Sequence, residues 1–218
     1  MAHGDIPQVL EVDRESYPLP WPASAYRREL TNNQHARYVV LRRESPEDEP
    51  EPDEPPEERK TWRSLLSWPR GGGHNGARSR GRVVGYAGMW IVADEAHITT
   101  IAVRGEDRRN GFGSLLLACL IALAYDLGIR WVTLEVRVSN EGAQTLYQRY
   151  GFRKAGVRRK YYSDNNEDAL IMTTDDITLN AYQAQFDGLK SDLMRRLNTE
   201  PEVDVSAPML LAEAQVKQ

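Results

Sequence analysis

The chain has 218 residues, 40% of them hydrophobic and 28% charged, with a formal net charge of −4. That length can bury a full core as one domain with appendages, and the acidic balance excludes a generally basic nucleic-acid-binding surface, so any phosphate site must be local. The single cysteine, Cys119, excludes an internal disulfide and lies in an apolar run where a small thiol packs well.

From the N-terminus, Ile6, Val9, Leu10 and Val12 fall near helical spacing, and "SAYRREL" reads as a second short helix capped by Ser24. Between them Pro18, Pro20 and Pro22 force a loop and restrict Trp21, either as a packing wedge or as one wall of a cleft. "ARYVVL" has the composition of a strand and completes an N-terminal part at 1–42. Residues 43–80 change character. "ESPEDEPEPDEPPEE" is acidic and proline-rich and "GGGHNGARSRG" glycine-rich and basic, so neither buries enough apolar surface to offset the entropy of ordering. A disordered insertion is expected at a hairpin tip, because "YVVL" and "RVVGYAGMWIV" on either side would pair as neighbouring strands. Its central "WRSLLSW" could dock on the body or on a partner.

A core follows at 81–175. "HITTIAV" is a strand, Gly113 to Leu127 a strongly apolar helix, and "RWVTLEVRV" a strand with strict alternation. Next comes a helix capped by Ser139 or Asn140, with Ala143, Leu146, Tyr147 and Tyr150 on one face and Gly151 as its stop. "EDALIMTTD" is the last strand, 176–198 a helical appendage and 199–218 a polar tail. Strands interleaved with helices give an α/β or α+β domain built on a mixed sheet. The apolar run 115–124 is about half the roughly 20 residues a membrane span requires, and the N-terminus lacks the apolar stretch of a signal peptide. A cytoplasmic protein with no membrane contact is expected.

Between the strand ending at Val103 and the apolar helix lies "RGEDRRNGFGS". The first turn of a helix presents unpaired N–H groups and the positive end of the peptide dipole, so an anion can bind there. Gly111 and Gly113 remove side chains that would hold a phosphate away from the backbone, and Arg108 and Arg109 add charge. A nucleoside-triphosphate loop would need Gly-Lys followed by Ser or Thr; a dinucleotide site would need a third glycine and a later acidic residue. Neither is present. Arg108-x-x-Gly111-x-Gly113 resembles the R/Q-x-x-G-x-G/A signature of the GCN5-related N-acetyltransferase (GNAT) superfamily. "TIAV", "LEVRVSNEGAQTLYQRYGF" and "RRKYYSDNNEDALIM", in that order, together with Pro20-Trp21, resemble the RimI-type ribosomal-protein-alanine N-acetyltransferases. The likeness is close over 81–174, loose over 5–43, and does not cover the insertion or the C-terminal extension.

The resemblance implies a GNAT fold that transfers acetyl from acetyl-CoA to an amine, with the diphosphate on Arg108, Arg109, Asn110, Gly111, Phe112, Gly113 and Ser114. Ile101, Ala102 and Val103 would offer backbone groups to the pantetheine arm where the sheet splays, and Asn140 would hold an amide of that arm or serve as an ordinary cap. Alternation places Trp131, Thr133, Glu135 and Arg137 on one face of their strand and Val132, Leu134, Val136 and Val138 on the other. The family's general base matches Glu135 and its general acid Tyr147, whose ring can pack in the core while its hydroxyl faces the cleft. Arg158, Arg159, Tyr161 and Tyr162 match a segment that shapes the peptide cleft. Gly105 stands where the family usually has proline, which implies a looser loop. The implied partners are acetyl-CoA and the N-terminal α-amine of a ribosomal protein of the small subunit. Lysine side chains, other N-termini or a small amine stay open as acceptors, as does a non-catalytic acetyl-CoA-binding module. His3, His35, His74 and His97 show no metal-ligand spacing, and no metal is expected.

Overall fold

A computed structural model describes residues 1–43 and 81–197 and the backbone of 203–206. Most of the expected insertion and of the polar tail lies outside the described residues. In chain order the elements are α1 (Ile6–Ser16), α2 (Ala23–Asn32), β1 (Ala36–Arg43), β2 (Arg82–Val92), β3 (Glu95–Val103), α3 (Phe112–Asp126), β4 (Trp131–Arg137), α4 (Glu141–Arg149), β5 (Phe152–Tyr162), β6 (Glu167–Thr174), α5 (Asn180–Leu197) and β7 (Val203–Ser206).

They form a seven-stranded mixed sheet in the order β5-β6-β4-β3-β2-β1-β7. Only β3 and β4 run parallel, and α3 is the crossover such a pair requires. The hairpin reading of the insertion is met at its base: β1 and β2 pair antiparallel until Arg43 lies opposite Arg82. From the tail, β7 adds a short antiparallel strand beside Val40 to Arg43.

The sheet has a core on each face. On one, Ile6, Val9 and Val12 of α1 and Tyr26 of α2 pack on Tyr38, Val40, Val83 and Tyr86. On the other, α3 packs with α5 against Val39, Leu41, Val84, Met89, Val132, Leu134 and Val136. Buried residues run round all sides of α3, from Phe112 and Leu115 to Leu120, Ile121 and Ala124. A helix apolar all round must be covered on both sides. The sheet covers one. The other is covered by α5, whose Tyr182, Phe186, Leu193 and Leu197 join the same core, so the helix expected as an appendage closes the domain.

Other differences are local. Pro22, not Ser24, precedes the first turn of α2, and no side chain caps that helix. The run "FRKAGVRRKYY" forms β5, which periodicity does not reveal because most of its side chains are exposed. At the sheet's edge its Arg153, Lys154, Arg158, Arg159 and Lys160 discourage pairing with another chain.

Candidate active site

The site begins where the parallel ladder stops. β3 and β4 pair from Glu95 opposite Trp131 to Ile98 opposite Leu134 and no further. Beyond that point β3 stays with β2 as far as Val103, while β4 stays with β6 as far as Arg137. The two strands therefore diverge. A register shift of β3 against β2 between Gly88 and Met89 supplies the extra twist that carries β3 away.

Along the opened edge the Ile101 carbonyl accepts a hydrogen bond from the Tyr17 hydroxyl at 3.0 Å, and the Val103 carbonyl accepts one from Arg108 Nε at 3.0 Å. These carbonyls, two residues apart, meet side chains instead of a strand. The Ala102 and Val103 side chains are buried on opposite faces of the sheet and Ile101 packs against the α3 side, so all three can offer only backbone to a ligand.

After Val103 the chain turns through a short 3₁₀ segment, Gly105–Asp107, into α3. Arg109 has φ +69° and Gly111 φ +85°, and Gly111 is the residue that caps α3. Left-handed residues alternating with ordinary ones turn successive N–H groups to one side, and the first-turn amides of α3 extend that concave row. Phe112 is 1% exposed and lies under the Arg43 guanidinium, so only its backbone can face a ligand. The Ser114 hydroxyl bonds to Tyr150. A Cβ on Gly113 would sit 3.7 Å from Leu146 in ordinary contact, so packing within the protein does not itself require glycine there.

Ion pairs brace the loop that contains Gly105. Arg104, 5% exposed, pairs with Glu11 at 2.5 Å and Glu15 at 3.0 Å and bonds the Val83 carbonyl. Arg43 pairs with the buried Asp107 at 2.9 Å, and Arg82 pairs with Glu106. The bracing comes from side chains where the family pattern would use a proline ring. Arg108, expected at the diphosphate, reaches back to the Val103 carbonyl and Ser16 Oγ, which makes it a tie between loop and α1.

Across the gap, β4 shows the expected alternation: Val132, Leu134 and Val136 are buried in the core, and Glu135 projects from the other face. Glu135 is the first residue of β4 past the last rung shared with β3. Its side chain is only 6% exposed, with one oxygen 2.9 Å from His97 Nε2 and the other 3.1 Å from Arg158 Nε. Tyr147 lies on α4, its ring 5.8 Å from that of Phe152. Burial raises its pKa, and the nearby Tyr17 and Tyr162 phenols raise it further, so it is protonated at neutral pH. The same kind of coupling links Tyr162 to Tyr17 and Glu135, and Tyr161 to Glu135. Glu135, Tyr17, Tyr147, Tyr161 and Tyr162 thus lie near enough to influence one another electrostatically.

Asn140 caps α4: its Oδ1 accepts the Ala143 N–H at 3.1 Å, leaving the amide NH₂ as the part that could meet a pantetheine carbonyl. Trp21 serves as a wedge, its ring 5.6 Å from Tyr26 and its backbone N–H donated to Asp13 at 2.7 Å, while 38% of it stays exposed. The Arg159 side chain is 88% exposed and lies 3.9 Å from Asp168.

Three residues here were not assigned to the site from sequence. In the sequence His97 marks only the start of a strand, but the parallel register sets it beside Thr133, two residues before Glu135. Tyr17, the residue just after α1, reaches Thr100 and Ile101, 83 and 84 residues away in the chain. Arg104 carried no motif. Buried on two glutamates of α1, it is legible only once that helix lies beside the loop. Among the described residues no three His, Cys, Asp or Glu side chains converge as metal ligands, and no helix is long and apolar enough to cross a membrane.

A family model described as "Acetyltransferase (GNAT) family" matches residues 39–152, the stretch that holds the divergent strands, the loop and Glu135. The chain belongs to the GNAT acetyltransferase family. It is 33% identical over 168 residues to a Bacillus subtilis (strain 168) protein provisionally named a [ribosomal protein bS18]-alanine N-acetyltransferase, covering 77% of this chain and 87% of that one. It is 32% identical over 160 residues to a Mycobacterium tuberculosis (strain ATCC 25618 / H37Rv) protein named N-alpha-acetyltransferase RimI, covering 72% and 76%. The crystal structure of the ribosomal-protein-S18-alanine N-acetyltransferase from Escherichia coli superposes with a TM-score of 0.57 and 25% identity, over 81% of this chain and 90% of that one. The chain is therefore a RimI-type GNAT N-acetyltransferase, and acetyl-CoA is the donor that the family uses.

Proposed function

We propose that this GNAT enzyme moves the acetyl group of acetyl-CoA to the α-amine of an N-terminal alanine on a ribosomal protein, with a small-subunit protein of the S18 kind as acceptor. The names of its relatives support the acceptor. The observation that carries the chemistry is that Glu135, 6% exposed, stands at the point where β3 and β4 part. A donor lying along the open edge from Ile101 to Val103, its diphosphate on the amides of 109–114, would bring its reactive end toward this carboxylate.

When bound, acetyl-CoA supplies a thioester carbonyl and a thiolate leaving group. An α-amine has a pKa of about 7.7–8.0, so near neutral pH most of it carries a proton that must leave before attack. Glu135 is the acceptor of that proton, directly or through a water molecule. His97 Nε2 lies 2.9 Å from one oxygen of the same carboxylate, close enough to share a hydrogen bond with it. Arg158 fixes the other carboxylate oxygen at 3.1 Å, so the base is held in one orientation. Tyr147, kept protonated by burial, donates to the departing sulfur. Tyr161, 45% exposed beside Glu135, and Arg158 form the mouth through which a chain end enters. An acceptor made on ribosomes fits the cytoplasmic setting expected from composition.

The test is mass spectrometry of peptide mixtures incubated with the enzyme and labelled acetyl-CoA. The mixtures should combine Ala, Ser, Met and Gly N-termini with internal lysines. Label confined to N-terminal alanine is the expected result. Label confined to lysine would replace the acceptor proposed here, and no label on any peptide would point to a small amine.

A further inference from the structure

A cavity of about 220 Å³ opens directly beyond the glycine loop, between the start of α3 and the C-terminal helix α5. Gly111 lines it from the loop, Arg149 and Tyr150 from the end of α4, and Leu189, Leu193 and Arg196 from α5. The contact between α5 and the loop is close. A Cβ placed on Gly111 would lie 3.4 Å from Leu197 and 3.6 Å from Leu193. α5 is held there by its core residues and by the Tyr182 hydroxyl, which donates to the Tyr150 carbonyl at 2.9 Å. Burial raises the pKa of Tyr150, while Arg149 and Arg196 act in the opposite direction, so both guanidinium groups lie near its hydroxyl. The family model ends at residue 152, so everything α5 adds to this cavity lies beyond the stretch that the model matches.

Granted the reading that the 109–114 amides take a diphosphate, the next part of acetyl-CoA is a 3′-phosphorylated adenosine, and it must lie beside the loop. We propose that α5 is the outer wall of the donor's nucleotide site: Leu189 and Leu193 face the adenine, and Arg196, with Arg149 opposite, takes the 3′-phosphate. The two chemistries match what that end of the donor presents. An aromatic base gains from an apolar wall, and a phosphomonoester gains from guanidinium donors. Arg196 and Arg149 are both exposed and can reach such a phosphate without leaving the core. The helix that covers α3 would then also set which CoA species the enzyme retains.

The experiment is titration calorimetry of the full chain with CoA, 3′-dephospho-CoA and pantetheine at one fixed, low ionic strength. Wild-type protein should bind CoA about tenfold more tightly than dephospho-CoA, the size of one charge-assisted hydrogen bond. Arg196→Gln should bring that ratio close to one, chiefly by weakening CoA, and Arg196→Lys should keep part of it. Arg195→Gln removes the same charge from the same helix, but Arg195 pairs with Asp192 and does not line the cavity, so the ratio should stay at the wild-type value. An unchanged ratio in Arg196→Gln, an equal loss in Arg195→Gln, or no wild-type preference for CoA would each overturn the proposal. The underlying diphosphate reading is judged separately: it fails if pantetheine binds as tightly as dephospho-CoA. If dephospho-CoA keeps its advantage over pantetheine while the Arg196 variants change nothing, only the role of α5 is lost.

Discussion

The two ends of the opening between β3 and β4 are built from different materials. At the loop end the working groups are backbone amides, presented by Arg109 and Gly111 in left-handed conformations and by the first turn of α3. At the other end they are side chains: Glu135 between His97 and Arg158, with Tyr17, Tyr147, Tyr161 and Tyr162 nearby. A backbone cradle depends on conformation and tolerates changes in most side chains. A side-chain cluster depends on identity and tolerates almost none. Damage at one end should therefore appear in donor binding, and damage at the other in the rate of the chemical step.

The largest expected effect is at the side-chain end. Glu135→Gln keeps the shape but cannot take a proton, so kcat should fall about 10²- to 10⁴-fold while acetyl-CoA affinity changes less than about twofold. Stopped-flow rates and calorimetry on the same sample separate the two; a parallel loss of affinity would join the ends instead of dividing them. Tyr147→Phe removes one hydroxyl and leaves the ring against Phe152, so kcat should fall about 10- to 100-fold with the melting temperature almost unchanged. At the backbone end Gly111→Ala should do the reverse. A φ of +85° costs a residue with a Cβ about 1–2 kcal/mol, and the new methyl would lie 3.4 Å from Leu197. KM for acetyl-CoA should rise several-fold with kcat nearly unchanged, read from steady-state kinetics.

The smallest effect probes what holds the two ends apart. Hydrogen bonds from Ser139, and then from Arg137, lower the Glu167 pKa to about 2, which ties β6 to the turn before α4. Because folded Glu167 gives up its proton more readily than the unfolded chain does, its stabilisation is complete above about pH 4.5 and is lost as pH falls toward 2. Melting curves of Glu167→Gln and wild type should therefore differ at pH 7 and converge between these values. A gap that persists at pH 2 would show that the glutamate acts through packing instead.

The glycine loop was legible because its requirements are local. Gly111 and Gly113 before an apolar helix state a backbone need in the sequence itself, and the alternation of β4 already set Glu135 apart from Val132, Leu134 and Val136. What escaped depends on distant parts of the chain meeting. His97 and Glu135 are 38 positions apart and meet only through a parallel register, which no pattern within either strand encodes. β5 was hidden because a charged edge strand loses the alternation that marks a half-buried one. α5 did leave a signal, since a helix as apolar as α3 must be buried on two sides and the sheet can cover only one. The family likeness went beyond these physical cues by ordering the motifs, but it ends before α5 and says nothing of Arg104.

The central claim is that a donor lies along the separated edge of β3 with its diphosphate on the amides that open α3. Amide hydrogen exchange of the full chain, with and without saturating CoA, tests it most directly. Slowed exchange at 101–103 and 109–114 is the predicted result. Slowing confined to other segments, in protein that still turns over acetyl-CoA, would contradict it.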